Sequence, residues 1–235
     1  MLEKIVKQVQ EARDSFGGDL LFYRGHADVD WSLTSGLARS KRAEKLEQIM
    51  YYDFITRAGT LLPLNASSWF HLFAMQHHGL PTRLLDWTTT FGVALYFAMK
   101  GCTGDAAIWV MDPFKLNKEC WTEGTIPAPD ELEANYYDAF VTGDKKIPGS
   151  AVAISPTREN PRIFNQKAAF TLQVDLKISL EEMCPSALRK IVIESDQLDE
   201  ANEFLRLAGI SEFSLFPDLD GLARDMLFEH FGVID

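Results

Sequence analysis

The chain has 235 residues, enough for one large domain or two small ones, and 46% of them are hydrophobic. That composition supports a packed core and excludes a disordered chain. Net charge is −11, but residues 1–100 hold 11 basic against 10 acidic residues, and residues 101–235 hold 12 against 24. Diffuse, sequence-blind binding to nucleic acid is therefore not expected. A specific anion site stays open in the first hundred residues, where Arg24, Arg39, Arg42, Lys45 and Arg83 lie. No apolar run reaches membrane-spanning length, and the first sixteen residues lack the apolar centre of a signal peptide. Cys102, Cys120 and Cys184 share no ligand spacing, which argues against a disulfide framework or zinc site and fits a reducing, cytoplasmic setting.

In chain order, Leu2, Ile5, Val6 and Val9 mark one face of a helix that ends at Gly17-Gly18. Residues 19–25, "DLLFYRG", read as a short strand with Arg24 at its exit. The next stretch is loop-like, anchored by Trp31 and Leu33. Leu46, Ile49, Met50, Phe54 and Arg57 predict a second helix face. Trp69, Leu72, Phe73 and Gln76 predict a third, stopped by Gly79 and Pro81. "TRLLDW" is a strand. Thr89 or Thr90 then caps a fourth helix with Phe91, Ala94, Leu95 and Ala98 inward. "DAAIWVMDP" is another strand. Residues 113–147 are acidic and poorly patterned and read as an insertion or surface loop with one short helix. "SAVAI" and "KAAFTLQVD" are strands, Ser179 and Glu182 form a capping box, and "LRKIVIE" is a strand. A helix with Leu198, Ala201, Leu205 and Ala208 inward follows. The C-terminal stretch from Ile210 predicts an edge strand and a terminal helix. The whole reads as one α+β domain with a helix-rich N-terminal half.

Arg24 leads the residues with chemistry. A guanidinium at a strand end, beside Gly25, suits bidentate capture of a phosphate, and Gly25 would let a ligand approach. The competing reading is a structural Arg paired with Asp28 or Asp86. His77 and His78 are adjacent on a helix and point about 100° apart, so both do not serve one metal, and no metal is expected. Asp86 lies between Leu85 and Trp87, an apolar frame that requires a partner such as Arg83, Arg24 or the Thr amides. Its expected role is to brace the turn. Thr88, Thr89 and Thr90 exceed what one helix cap needs, so a spare hydroxyl could face a ligand. Asp218 and Asp220 read as a helix-capping turn, with a metal-binding acid pair as the alternative.

The stretches "FYRGHADVDWSL", "AMQHHGLPTRLLDWTTTFGVALYFA", "NPRIFNQKAAFTL" and "FPDLDGLA" resemble the FRG domain family of bacteria and phages, over about residues 20–225. The family takes its name from a Phe/Tyr-Arg-Gly motif, present as Tyr23-Arg24-Gly25. More distantly, the order of elements is similar to the arginine-serine-glutamate class of ADP-ribosyltransferases, which implies a split β-sheet core. That resemblance implies that NAD is a substrate. Arg24 would hold its phosphates or ribose, with Tyr23, Gly25 and His77 beside it. Thr88 and Thr89 would line the nicotinamide ribose, and His78 would be the alternative histidine at the reacting centre. Asp86 and Arg83 would support them. The catalytic Glu of that class falls by order at Gln166. A neutral amide keeps a hydrogen bond but not the charge, a loss on the order of 3 kcal/mol, or about a hundredfold in rate. Another acid, Glu159, Asp86 or Glu194, could serve instead.

The resemblance implies a transferase effector of toxin or phage-defence type. Its acceptor would be a protein or nucleic acid, and an antitoxin, inhibitor or phage protein would be its partner. The alternatives are a catalytically inactive nucleotide- or partner-binding sensor, and a metal-dependent hydrolase using His77 or His78 with Asp86, Asp218 and Asp220.

Overall fold

A computed structural model describes residues 2–40, 42–155 and 166–231. The fold is α+β: six strands form one open sheet among the described residues, all neighbouring pairs antiparallel. The strands are β1 (Phe22–His26), β2 (Leu84–Thr88), β3 (Ala106–Met111), β4 (Ala151–Ile154), β5 (Ala168–Gln173) and β6 (Leu188–Ile193). Their order across the sheet is β4-β5-β2-β1-β3-β6. β1 pairs with β3 at five positions, from Phe22 opposite Met111 to His26 opposite Ala107. β1 and β2 pair only at Tyr23 opposite Thr88. The sheet is one open six-stranded sheet, with its sparsest pairing between β1 and β2.

Nine α-helices are described: α1 (Leu2–Phe16), α2 (Ala43–Ala58), α3 (Ser68–His77), α4 (Phe91–Met99), α5 (Pro113–Cys120), α6 (Leu180–Met183), α7 (Leu198–Leu207), α8 (Glu212–Leu215) and α9 (Leu219–Phe231). Alternation along β1 sends Tyr23 and Gly25 to one face and Phe22, Arg24 and His26 to the other. On the first face, α1, α4 and α7 cover β1, β3 and β6 through Ile5, Ala94, Leu95, Ile108, Ile193 and Leu205. Beside them, α2 and α3 cover the other half through Tyr51, Trp69, Leu72, Leu84 and Leu172. On the opposite face, Phe22, Trp87, Trp109, Leu116 and Leu180 form a third cluster.

Local chemistry sets the helix ends. The Ser67 hydroxyl accepts the Phe70 N–H at 3.1 Å and opens α3, and Gly79 at φ 80 leads the chain away from its end. Asp112 caps α5, accepting from the Phe114 and Lys115 amides, with Pro113 in the first turn. The capping box of Ser179 and Glu182 is present.

Three elements differ from the sequence expectation. In α2, Leu46 and Ile49 face solvent while Glu47 and Tyr51 turn inward. Glu47 is matched by residues far along the chain: Arg83 donates to it through Nε at 2.6 Å and Nη2 at 2.7 Å, and the Tyr136 hydroxyl donates at 2.7 Å. Residues 113–147 hold α5, a 3-10 turn (Pro129–Glu131) and a π-helix (Tyr137–Thr142), and buried Leu132, Tyr136 and Val141 seal the cluster under α2 and α3. The expected edge strand after Ile210 is α8. Ser211 accepts the Ser214 N–H, and Glu212 and Leu215, three residues apart, both turn inward. Among the described residues no helix is long and apolar enough to cross a membrane.

The Glu47–Arg83 pair generates a stability prediction. Removing one partner strands the other's charge in the core, so Glu47→Ala should lower the unfolding free energy by about 3–5 kcal/mol in a urea titration. A loss below about 1 kcal/mol would place the pair in water rather than in the core.

Candidate functional site

Because β1 and β2 part beyond Tyr23 and Thr88, the sheet opens between them. A cavity of about 370 Å³ lies there, lined by both strands, by α3, α4 and by the start of β5. Its volume is within the range of small-molecule sites.

Arg24 spans the gap. Its Nη1 donates to the backbone carbonyl of Asp86 at 2.6 Å, where a ladder hydrogen bond would otherwise run. Its Nε donates to His26 Nε2 at 3.0 Å. Two of the five guanidinium N–H groups are thus engaged, and no carboxylate pairs with Arg24 among the described residues. Neither Asp28 nor the Asp86 side chain takes the structural-partner role the sequence allowed. Burial pulls the Arg24 guanidinium below its ordinary value, the Asp86 charge opposes that and Arg39 adds to it. The group stays cationic throughout the physiological range.

His26 was not foreseen, although it stands two residues beyond Arg24 and so on the same face of β1. It is buried. Its Nε2 accepts from Arg24, so its proton sits on Nδ1, 3.3 Å from the Trp31 carbonyl. Burial and then the Arg24 charge push its pKa down to about 4. Trp31, expected with Leu33 to anchor its loop, is 52% exposed and lines the cavity with its ring 5.9 Å from that of His26.

The remaining expected residues separate into two groups. Tyr23, Gly25, His77, Asp86, Thr88 and Gln166 line the cavity with Arg24; His78, Arg83 and Thr89 do not. His78 follows α3 and is exposed, its ring edge-on to His77 at 4.9 Å. Arg83 is committed to Glu47 and to the Val174 carbonyl at 2.8 Å, with its guanidinium stacked 4.2 Å from the Phe140 ring, so it supports the core and not the site. Thr89 is exposed and its amide donates to the Lys167 carbonyl at 3.1 Å.

Gly25 has a different use from the one expected. A Cβ there would stand 2.0 Å from the Ala94 carbonyl oxygen and 2.5 Å from the Ala98 nitrogen, so the missing side chain admits α4 rather than a ligand. The Thr run likewise serves the turn. The Thr88 hydroxyl donates to the Gln166 carbonyl at 2.7 Å and accepts the Thr90 N–H at 3.1 Å, while Thr90 occupies the cap position without a side-chain cap bond. Gln166 is thereby tied to the end of β2. Its amide Nε2 donates to the Leu215 carbonyl at 3.3 Å, and the next residue, Lys167, holds a left-handed φ of 43.

Asp86 was expected in an apolar frame. Instead it takes the one exposed position of β2, between buried Leu85 and Trp87. Gln76 Nε2 donates to its Oδ2 at 2.7 Å, and the Thr82 hydroxyl donates to Gln76 Oε1 at 2.5 Å. Trp87 turns to the opposite face, its Nε1 donating to the Thr171 hydroxyl at 3.0 Å. Tyr23 packs edge-on against Phe91 at 6.4 Å, and burial raises its pKa. Lys100, also unforeseen, lines the cavity and pairs with buried Glu212 at 2.8 Å; Arg224 and the Tyr96 hydroxyl donate to the same carboxylate. Burial raises the Glu212 pKa, but Lys100, Tyr96 and Arg224 outweigh it and hold the carboxyl below its ordinary value.

The other candidate acids lie elsewhere. Glu194 is exposed near Lys4, at 3.4 Å, and Glu159 falls outside the described residues. Asp218 accepts the Gly221 N–H at 2.7 Å at the start of α9, and neither it nor Asp220 lines the cavity. No group of three His, Cys, Asp or Glu residues able to hold a metal occurs among the described residues.

A family model, described as FRG domain, matches residues 19–105, which carry β1, α2, α3, β2 and α4 with Arg24, His77, Asp86 and Thr88. No curated protein and no solved structure matches the chain.

The Arg24–His26 bond has a pH consequence. An unfolded His26 binds its proton near pH 6.5, whereas the folded ring takes it only near pH 4. Its contribution to stability is complete above the unfolded value and is lost as pH falls from about 6.5 to about 4. NMR of the His26 ring protons should give a midpoint near 4; a midpoint near 6.5 would mean the ring does not accept from Arg24.

Proposed function

We propose that this chain, which carries an FRG domain over residues 19–105, is an NAD-consuming ADP-ribosyltransferase. The observation that carries the reading is Arg24, a cation with no carboxylate partner among the described residues, fixed at the opening between β1 and β2. A planar fork with donors to spare matches the geometry of a phosphate or pyrophosphate. The residues around it suit the rest of the substrate. His77 and Trp31 offer ring surfaces to nicotinamide or ribose, and Gln166 offers its amide oxygen to a ribose hydroxyl. Thr88 holds Gln166 in place through its backbone. In this reading Arg24 clamps the NAD phosphates, His77 rather than His78 serves at the site, and Asp86 keeps the arginine aligned through its carbonyl.

The transferred ADP-ribose would go to a protein or nucleic-acid acceptor, in the manner of a cytoplasmic toxin or phage-defence effector restrained by an antitoxin or inhibitor. A second reading, a nucleotide- or partner-binding sensor without turnover, draws support from Gln166 standing where the resembling enzymes carry a Glu. The metal-dependent hydrolase loses its support, since Asp218 is taken up at a helix start away from the cavity.

Purified protein incubated with NAD, with and without nucleic acid or cell lysate, should release nicotinamide, and Arg24→Ala should reduce that release at least about a hundredfold. Release unaffected by Arg24→Ala would refute the assigned clamp. Binding of NAD without release under any condition would favour the sensor.

A further inference from the structure

The transferase reading leaves one role unfilled. Breaking the bond between nicotinamide and ribose leaves positive charge on the sugar, as in other glycosyl transfers, and Gln166 carries no charge to answer it. Among the described residues lining the cavity, Asp86 is the one carboxylate. It holds the only exposed position of β2, opposite Phe170 of β5, which also lines the cavity. Its carboxylate is not consumed by Arg24, which bonds the backbone carbonyl instead. The carboxylate accepts from Gln76 through Oδ2 alone, and Oδ1 has no partner among the described residues. Gln76 is itself locked, because the Thr82 hydroxyl occupies its Oε1 and leaves the amide nitrogen to face Asp86. The result is an anion held in the same cavity as Arg24 and close enough for its charge to act on the guanidinium, and a fixed charge of that kind stabilises developing positive charge without reorganisation.

Resting on the NAD reading above, we propose that Asp86 is the catalytic carboxylate of this site, supplying the charge that Gln166 lacks. The C1′–N bond of NAD breaks with its electron pair passing to the pyridinium nitrogen, and neutral nicotinamide leaves. The positive charge left on C1′ and the ring oxygen faces Asp86. A lone pair of the acceptor nucleophile then forms the new bond to C1′, and the nucleophile's proton passes to solvent. Gln166 contributes a hydrogen bond to the ribose and Asp86 contributes the charge, so a pair from β2 and the start of β5 does what one Glu does in the resembling enzymes.

The test uses NAD hydrolysis, with water as the acceptor, and calorimetric NAD affinity on the same preparations. Asp86→Asn keeps the side chain's size and an oxygen for Gln76 and removes the charge. The expected result is a kcat about 100-fold lower with NAD affinity within about twofold of the parent. Asp86→Glu should recover part of the loss, and Gln166→Ala should lose less kcat than Asp86→Asn. A kcat for Asp86→Asn within about threefold of the parent, while Arg24→Ala removes turnover, would overturn the role of Asp86 and leave the NAD site standing. NAD affinity falling as far as kcat would also overturn it, making Asp86 a prop for Arg24. A parent protein without turnover overturns both readings.

Discussion

The hydrogen bond from Arg24 Nη1 to the Asp86 carbonyl, at 2.6 Å, is the constraint on which the rest of the site depends. β1 and β2 meet at one register position and then part, so the middle of the sheet lacks the ladder that ties every other neighbouring pair. A side chain bridges the opening in place of main-chain hydrogen bonds. That substitution creates a concave, partly polar opening in an element that otherwise presents a closed surface. Gly25 supports it from behind by letting α4 pack on the β1 backbone, and the Thr88 hydroxyl supports it from the end by tying β2 to the start of β5. Without Gly25, β1 and α4 would separate; without Thr88, Gln166 would lose its anchor.

Two arginines show how differently the same side chain is used. Arg83 is buried and saturated: a bidentate carboxylate, two backbone carbonyls and an aromatic ring take up its donors and its face. It holds α2 to β2 and contributes to the fold. Arg24 has one histidine nitrogen and one carbonyl, neither of which neutralises it. A half-buried cation without a paired carboxylate is unfavourable for stability alone, and the Asp86 charge only partly offsets that. His26 contributes by staying uncharged, since a protonated ring could not accept from the guanidinium. On the far side, Glu212 gathers Lys100, Tyr96 and Arg224 and fastens the C-terminal helices to α4, so the wall of the cavity is braced by residues distant in sequence.

Much of this was legible in the sequence where one residue's environment is set by its neighbours. Helix spacing located α1, α3, α4 and α7, and the strand-end position of Arg24 pointed to its place in the cavity wall. Period-two alternation in "YRGH" puts Arg24 and His26 on one face, so the histidine partner of Arg24 is legible there too. The misplacements came from long-range partners. Nothing near Glu47 announces that Arg83 and Tyr136 will meet it, so the apolar Leu46 and Ile49 looked like the inner face of α2. Asp86 looked enclosed because its sequence neighbours are apolar, yet in a strand those neighbours turn to the other face and leave Asp86 in the opening. The Thr run looked like a ligand surface because side chains that bond backbone 78 residues away cannot be told from free hydroxyls in a string of letters. Residues 113–147 lack one periodicity because they join an α-helix, a 3-10 turn and a π-helix in short succession around buried Tyr136.

We propose the opening between β1 and β2 as a dinucleotide site organised by Arg24. Isothermal titration of NAD into the intact protein and into Arg24→Gln tests it directly, because it reads the clamp without requiring turnover or an acceptor. One NAD per chain is expected, with an affinity at least about tenfold weaker in the variant from the loss of one charge-assisted contact. Equal affinity in the two proteins, or no NAD binding by the parent, would contradict it.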